Sequence, residues 1–212
     1  MANPAGSFIW YELMTPDPDA VATGSPTVVP FVLGGALRLR VDRAGRPTQL
    51  ALLCVAIGII GPLRGLYKAT GSSMEEGFML VFPKLVQQGK VPNVDFLHLY
   101  GPTSLDVLAL WYRAFGDSLE SQRTFGLLQH LGIIFAIYTL ARAAGHMAAA
   151  GAALVATVLI MTPIGLSALA WHGAVALGLW SLVFAVRACV RGDGLRDWWF
   201  AGGLAGLALG FR

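Results

Sequence analysis

Five side chains between residues 75 and 123 are candidates for acid–base or phosphate chemistry. They are Glu75, Glu76, Asp95, His98 and Arg123. The two glutamates directly follow an apolar run and open the stretch MEEGFMLVFPKLVQQGKVPNVDF. Carboxylates near an apolar boundary are in general stronger bases than carboxylates in water. The glutamate pair therefore predicts acid–base chemistry at the edge of a membrane.

Each of these side chains also has a structural explanation, and the sequence leaves both readings open. Adjacent glutamates after an apolar run are often solvated residues at a helix start, where acids suit the helix dipole. Asp95 and His98 could bind a divalent cation with Glu75, or Asp95 could turn the chain toward Gly101. Arg123 could pair with a phosphate, or its head could snorkel to the membrane surface.

Three further polar side chains lie in apolar surroundings. Gln129 and His130 fall inside a predicted membrane span, where polar groups face protein or a cavity. Hydrogen bonding between helices is the default for both, and lining a lipid-binding groove is the alternative. His172, beside Trp171 at a span end, is predicted to be an interfacial anchor.

Composition sets the class of protein in which these residues act. The chain of 212 residues is 56% hydrophobic, only 13% charged, and has a mean hydropathy of +0.64. Soluble domains carry roughly 25% charged residues, so the composition predicts an integral membrane protein. The net charge of +3 gives no indication of a nucleic-acid partner. Cys54 and Cys189 lie in apolar runs and are predicted to be small buried hydrophobes.

The hydropathy pattern predicts an all-α, polytopic protein with four to five spans. The predicted spans lie at about 48–66, 121–143, 147–166, 173–190 and 198–212. A large loop, 67–120, separates the first two spans.

Within this loop, residues 75–88 place apolar side chains at helical spacing and predict an amphipathic juxtamembrane helix. The apolar face consists of Phe78, Phe82, Leu85 and Val86. Gly89 is a natural stop, and Pro83 should kink or split the helix. A second short helix is predicted over 104–116, at interfacial depth.

The arginines orient the spans. Four lie between residues 38 and 46, Arg142 follows the second span, and three lie between residues 187 and 196. With alternating crossings they share one side, which the positive-inside rule makes cytoplasmic. The segment 1–47 is then cytoplasmic, the loop 67–120 faces outward, and the protein belongs in the plasma membrane.

The run EEGF…LVQQGKVPNVDF…GP, with 115-FG-116 and 123-RTFGLL-128, resembles the first outer loop of the GT-C superfamily. These are polytopic glycosyltransferases of the protein-mannosyltransferase and aminoarabinose-transferase type. The resemblance implies a polyprenyl-phosphate sugar donor, a membrane-lipid environment and an acceptor whose identity is unknown. It implies Glu75 as the catalytic base, Glu76 as its catalytic neighbour, and substrate contacts at Asp95, His98 and Arg123.

Two features depart from the family pattern. Position 75 holds Glu where the family usually has Asp, and a misplacement of about an angstrom can cost ~10²-fold in rate. The resemblance also predicts a GT-C fold that is incomplete over 48–212, and hence an inactive fragment. No protein cofactor is implied beyond a possible divalent cation.

The start of the chain has a different character. Residues 6-GSFIWYELMTPDPDA-20 resemble the opening strand and turn of the vicinal-oxygen-chelate family, which includes glyoxalases. This resemblance predicts an unfolded remnant over 1–25. Two other functions stay open: a non-enzymatic small membrane protein, such as a transporter piece or assembly factor, and a vicinal-oxygen-chelate enzyme.

Overall fold

The computed structural model describes residues 45–69, 73–161, 165–191 and 194–211. Within these ranges the chain is helical, with one isolated bridge between Pro92 and Phe96 and no β-strand. The helices are α1 (Arg46–Lys68), α2 (Ser73–Gln87), α3 (Pro102–Phe115), α4 (Leu119–Ala141), α5 (His146–Met161), α6 (Ala170–Arg191) and α7 (Leu195–Phe211). The all-α prediction is confirmed for this part. The resemblance noted for 1–25 lies outside it.

Three of the helices, α1, α4 and α6, are long and apolar enough to cross a membrane. They correspond to the predicted spans at 48–66, 121–143 and 173–190. Helix α5 holds 16 residues, which is about 24 Å at 1.5 Å per residue. The hydrocarbon core is ~30 Å thick, so α5 is short for a full crossing. Helix α7 holds 17 residues up to Phe211. The architecture is that of a membrane protein with three candidate spans.

The third predicted span, 147–166, ends earlier than its hydropathy suggested. Helix α5 stops at Met161, and Gly165 (φ +70°) with Leu166 forms a turn before α6. Helix α4 passes this turn at Gly126, where an added Cβ would overlap the Leu166 carbonyl oxygen. A glycine is therefore required at this crossing.

Small residues bring α1, α4 and α5 together. Ala153 and Ala156 of α5 are buried with Val55 of α1 and Ile134 of α4. Small side chains let helix backbones approach closely, which is how helices associate in lipid without a hydrophobic driving force between them. This contact forms the larger of two apolar cores.

The loop between α1 and α4 folds into a hairpin of α2 and α3. Helix α2 ends as predicted: the Gly89 N–H binds the Val86 carbonyl, and Gly89 adopts φ +85°. Met79 of α2 packs with Leu105 and Leu108 of α3 in the second core. The hairpin is thus a packed unit of its own.

One expectation about single residues was wrong: Cys54 and Cys189 are exposed on the helix surfaces rather than buried. Of the two effects expected of Pro83, the split does not occur, because Pro83 lies inside a continuous α2. Phe78, on the predicted apolar face, is 43% exposed and stacks on Phe82.

The hairpin lies across one end of the helix bundle. The end of α3 is hydrogen-bonded to the start of α4, where the Trp111 Nε1–H donates to the Ser121 carbonyl. The loop end of the hairpin meets α7, because an added Cβ at Gly210 would overlap Thr103. The end of α7 in turn lies against the start of α6, since Phe211 crowds Gly173. The hairpin therefore bridges helix ends that share one side of the bundle.

A candidate site at the start of helix α2

A buried ion pair joins the start of α2 to the start of α4. Arg123 Nε lies 2.8 Å from Glu76 Oε1, and Arg123 Nη2 lies 2.9 Å from Glu76 Oε2. The side chains are only 4% and 9% exposed. Two parallel charge-assisted hydrogen bonds of this kind fix both geometry and orientation. The pair connects residues 47 positions apart in the chain.

The remaining donors of Arg123 bind the end of α1. Nη1 donates to the carbonyls of Leu66 (3.4 Å) and Tyr67 (2.6 Å), and Nη2 donates to that of Ala69 (2.8 Å). Helix C-termini leave carbonyls unsatisfied, and a cation there also suits the helix dipole. A guanidinium has five N–H donors, and all five are used. In this arrangement Arg123 neither snorkels nor has a donor left for a phosphate.

Neighbouring residues of α4 extend the same contact. The Gln122 Nε2 donates weakly to the Glu76 backbone carbonyl at 3.5 Å. Thr124 Oγ1 donates to the Glu120 carbonyl, so the Tyr67 hydroxyl donates to Thr124 Oγ1 at 2.9 Å. Three successive residues of α4 thereby hold the connection between α1 and α2.

Glu75 has the opposite environment from its neighbour. It is partly exposed, and it forms no hydrogen bond or ion pair with any residue that the structure describes. Successive residues of a helix point about 100° apart, so only one of two adjacent glutamates can face α4. Glu76 is held in the protein, while the Glu75 carboxylate remains available. The catalytic roles assigned to both stay predictions.

Helix α2 is held in place at its proline. Because Pro83 has no N–H, the Met79 carbonyl four residues earlier lacks its helical donor. The Tyr112 hydroxyl of α3 supplies one instead, at 2.9 Å. Burial, and then the charge of Asp117, raise the pKa of Tyr112 well above its usual value. Tyr112 is therefore a neutral donor at physiological pH.

Asp95 and His98 shape the loop between α2 and α3. Asp95 Oδ2 accepts from the Val91 N–H at 2.8 Å, so Asp95 turns the chain. The His98 N–H donates to Asn93 Oδ1, and burial lowers the pKa of the His98 ring. No group of three or more His, Cys, Asp or Glu side chains positioned for a metal occurs among the described residues. The grouping of Asp95 and His98 with Glu75 is thus not formed there.

Sequence reasoning missed a contact between two histidines. The ring centroids of His130 in α4 and His172 in α6 lie 4.4 Å apart. The ring centroids of Trp171 and His172 lie 3.7 Å apart. His172 is only 3% exposed, so its prediction as an interfacial anchor was wrong. His130 Nδ1 pairs with the Gly126 carbonyl of its own helix. The sequence does show polar residues in two predicted spans, but it does not show that these residues contact each other.

An apolar cleft of about 660 Å³ opens near these rings, between α6 and α7. Its lining includes Trp171, Val175, Leu209 and Phe211, with Tyr100 from the hairpin loop at its edge. It could accept an apolar chain but offers few polar contacts.

Comparison with known proteins identifies no relative. No family model matches the chain, and neither a curated protein nor a solved structure matches it.

Proposed function

We propose that this chain is a membrane glycosyltransferase-like protein of the GT-C type. It would transfer a sugar from a polyprenyl-phosphate donor to an acceptor at the outer face of the plasma membrane, with the N-terminus cytoplasmic. In this proposal α5 and α7 complete five spans, and α2 is the juxtamembrane helix. Glu75 is the general base.

The observation that carries the proposal is the contrast between the two glutamates. Glu76 is fixed by Arg123, which also holds the end of α1, a candidate span. Glu75 is thereby placed on a rigid helix start beside the end of that span, with its carboxylate unpaired among the described residues. A general base needs this combination of fixed position and free lone pairs.

The other predicted site residues take supporting roles in the proposal. Glu76 and Arg123 position α2, and Asp95 and His98 shape the loop, so none of the four needs to touch the donor. The apolar cleft beside Trp171 suits the prenyl chain. A lipid-linked sugar has its tail in the bilayer and its sugar at the headgroups, which is the depth at which α1 ends.

The test is transfer activity in proteoliposomes supplied with polyprenyl-phosphate mannose or polyprenyl-phosphate aminoarabinose. Measurable transfer by the unaltered chain comes first, and it would overturn the expectation of an inactive fragment. We expect Glu75→Gln to lower the rate by about 10²–10⁴-fold, the usual contribution of a general base. Glu75→Asp should retain activity or raise it, because the family usually has Asp there. Glu120→Gln, an exposed acid at the start of α4, is the matched control and should have no effect. Equal rates for Glu75→Gln and the control would refute the proposal.

A non-enzymatic membrane protein is the second candidate, and one observation favours it. All five N–H donors of Arg123 are bonded within the chain, and both carboxylate oxygens of Glu76 accept hydrogen bonds from Arg123. Under this alternative the ion pair only fastens helices together. It predicts no transfer from either donor, and a cellular phenotype that Glu75→Gln leaves unchanged.

A further inference from the structure

The loop between α2 and α3 exposes an unusual amount of aliphatic surface. Val94 and Leu99 are each 80% exposed, Leu97 is 74% exposed and Val91 is 52% exposed. Phe96 and His98 alternate with them and point inward, where both rings contact Phe82. The loop thus has an aromatic inner side and an aliphatic outer side. We refer to residues 91–99 as the aliphatic loop.

Five backbone N–H groups of the aliphatic loop form hydrogen bonds within the loop: those of Val91, Asn93, Val94, Asp95 and His98. The Val91 N–H binds Asp95 Oδ2, and the Asp95 N–H binds the Val91 carbonyl. The Asn93 N–H binds the Phe96 carbonyl, and Asn93 Oδ1 accepts from the His98 N–H. Backbone groups without partners are very costly in an apolar medium. These internal bonds lower the backbone cost of moving the first half of the loop out of water, and the headgroup region offers polar partners to the rest.

The aliphatic loop lies beside an apolar cleft at the end of a candidate span. Tyr100, directly after it, lines the apolar cleft together with Trp171 at the start of α6 and Phe211 at the end of α7. Helix α6 is a candidate span. Tyrosine and tryptophan both settle at headgroup depth in membrane proteins. These neighbours favour headgroup depth for the loop, next to a cleft whose lining is apolar.

The charges fit the same location. Asp95 is the one acid in the loop, and its carboxylate is turned onto the Val91 N–H. Lys90, at the start of the loop, is exposed, and a cation there suits anionic headgroups.

We propose that the aliphatic loop inserts Val94, Leu97 and Leu99 into the lipid leaflet at this end of the bundle. It would anchor the far end of the α2–α3 hairpin, as Arg123 anchors the near end. The partner is the bilayer itself, so the proposal does not depend on a transferase activity.

The test uses nitroxide labels on single cysteines, in the full chain with Cys54→Ala and Cys189→Ala. Val94→Cys and Leu99→Cys are compared with Asp106→Cys, an exposed polar position on α3. Each protein is reconstituted in nanodiscs of phosphatidylcholine and phosphatidylglycerol. Collision rates with oxygen and with a water-soluble nickel chelate are then measured by electron paramagnetic resonance.

We expect labels at positions 94 and 99 to collide severalfold more with oxygen, relative to nickel, than the label at 106. Equal ratios at all three positions would place the loop in water and overturn the proposal. Protection from both reagents at 94 and 99 would overturn it too, because the loop would then be covered by protein. Unchanged melting temperatures of the labelled variants show that the fold is retained.

Discussion

At the scale of single residues, Glu75 and Glu76 have different environments because successive residues of a helix point about 100° apart. Glu76 shares the buried face of α2 with Met79 and Pro83, at helical spacing. Glu75 faces outward. Extending this face back from Met79 by three residues would have selected Glu76 from the sequence. Its partner, Arg123, lies 47 residues further along the chain, so a local sequence pattern cannot identify it.

The two glutamates should therefore differ in their effect on stability. Glu76→Gln leaves the Arg123 charge buried and partly unpaired, and breaking such a pair costs about 3–5 kcal/mol. Glu75→Gln, at a partly exposed position without a described partner, should change the free energy of unfolding by less than about 0.5 kcal/mol. Thermal unfolding in detergent micelles measures both. Similar losses in the two variants would contradict the buried role of Glu76.

His98 should make stability depend on pH. Burial lowers the pKa of His98 below 6.5 in the folded protein, so the unfolded chain binds a proton there first. Stability is then full above pH 6.5 and falls as the pH drops from that value to the lowered folded pKa. His98→Gln should remove this part of the pH dependence, while His146→Gln at the other end of the bundle should keep it. A parallel loss in both variants would show that His98 is not the cause.

At the scale of elements, helix α2 and its end at Gly89 were predicted correctly, and of the two effects expected of Pro83 the split does not occur. A proline deprives the carbonyl four residues earlier of its helical donor. Here Tyr112 supplies that donor from α3. The compensation is tertiary, so the sequence of α2 by itself could not show it.

A double-mutant cycle tests this compensation. Tyr112→Phe leaves the buried Met79 carbonyl without a partner, which should cost about 1–3 kcal/mol. Pro83→Ala restores an N–H to that carbonyl, so Tyr112→Phe should cost much less in the Pro83→Ala background. Chemical unfolding in mixed micelles gives the coupling energy. Additive effects would mean that the two residues act independently.

At the scale of the whole molecule, composition and hydropathy identified a helical membrane protein and located α1, α4 and α6. They overestimated α5, because apolar residues continue beyond its end into the turn at Gly165 and Leu166. They could not pair His130 with His172, since the relative depth of two helices is not encoded in either segment. Depth is set by packing, as at Gly126.

The bundle also predicts which connections share a side of the membrane. In a background with Cys54→Ala and Cys189→Ala, cysteines at Gln88 and Ser118 should both react with an impermeant maleimide from one side of sealed vesicles. A cysteine at Ala144, after α4, should react only from the other side. Labelling of Ala144→Cys and Ser118→Cys from the same side would show that α4 does not cross.

The reach of Arg123 has a consequence for how the protein is made. Its contacts with Tyr67 and Glu76 span 56 and 47 residues, so α1 and α2 are synthesised before Arg123 is. Helix α1 must enter the membrane with its last carbonyls open and wait through synthesis of the whole hairpin. During that interval the Glu76 carboxylate lacks its Arg123 partner. The contacts of Arg123 with α1 and α2 can form only after the start of α4 has been made, so the placement of two earlier helices depends on a later one.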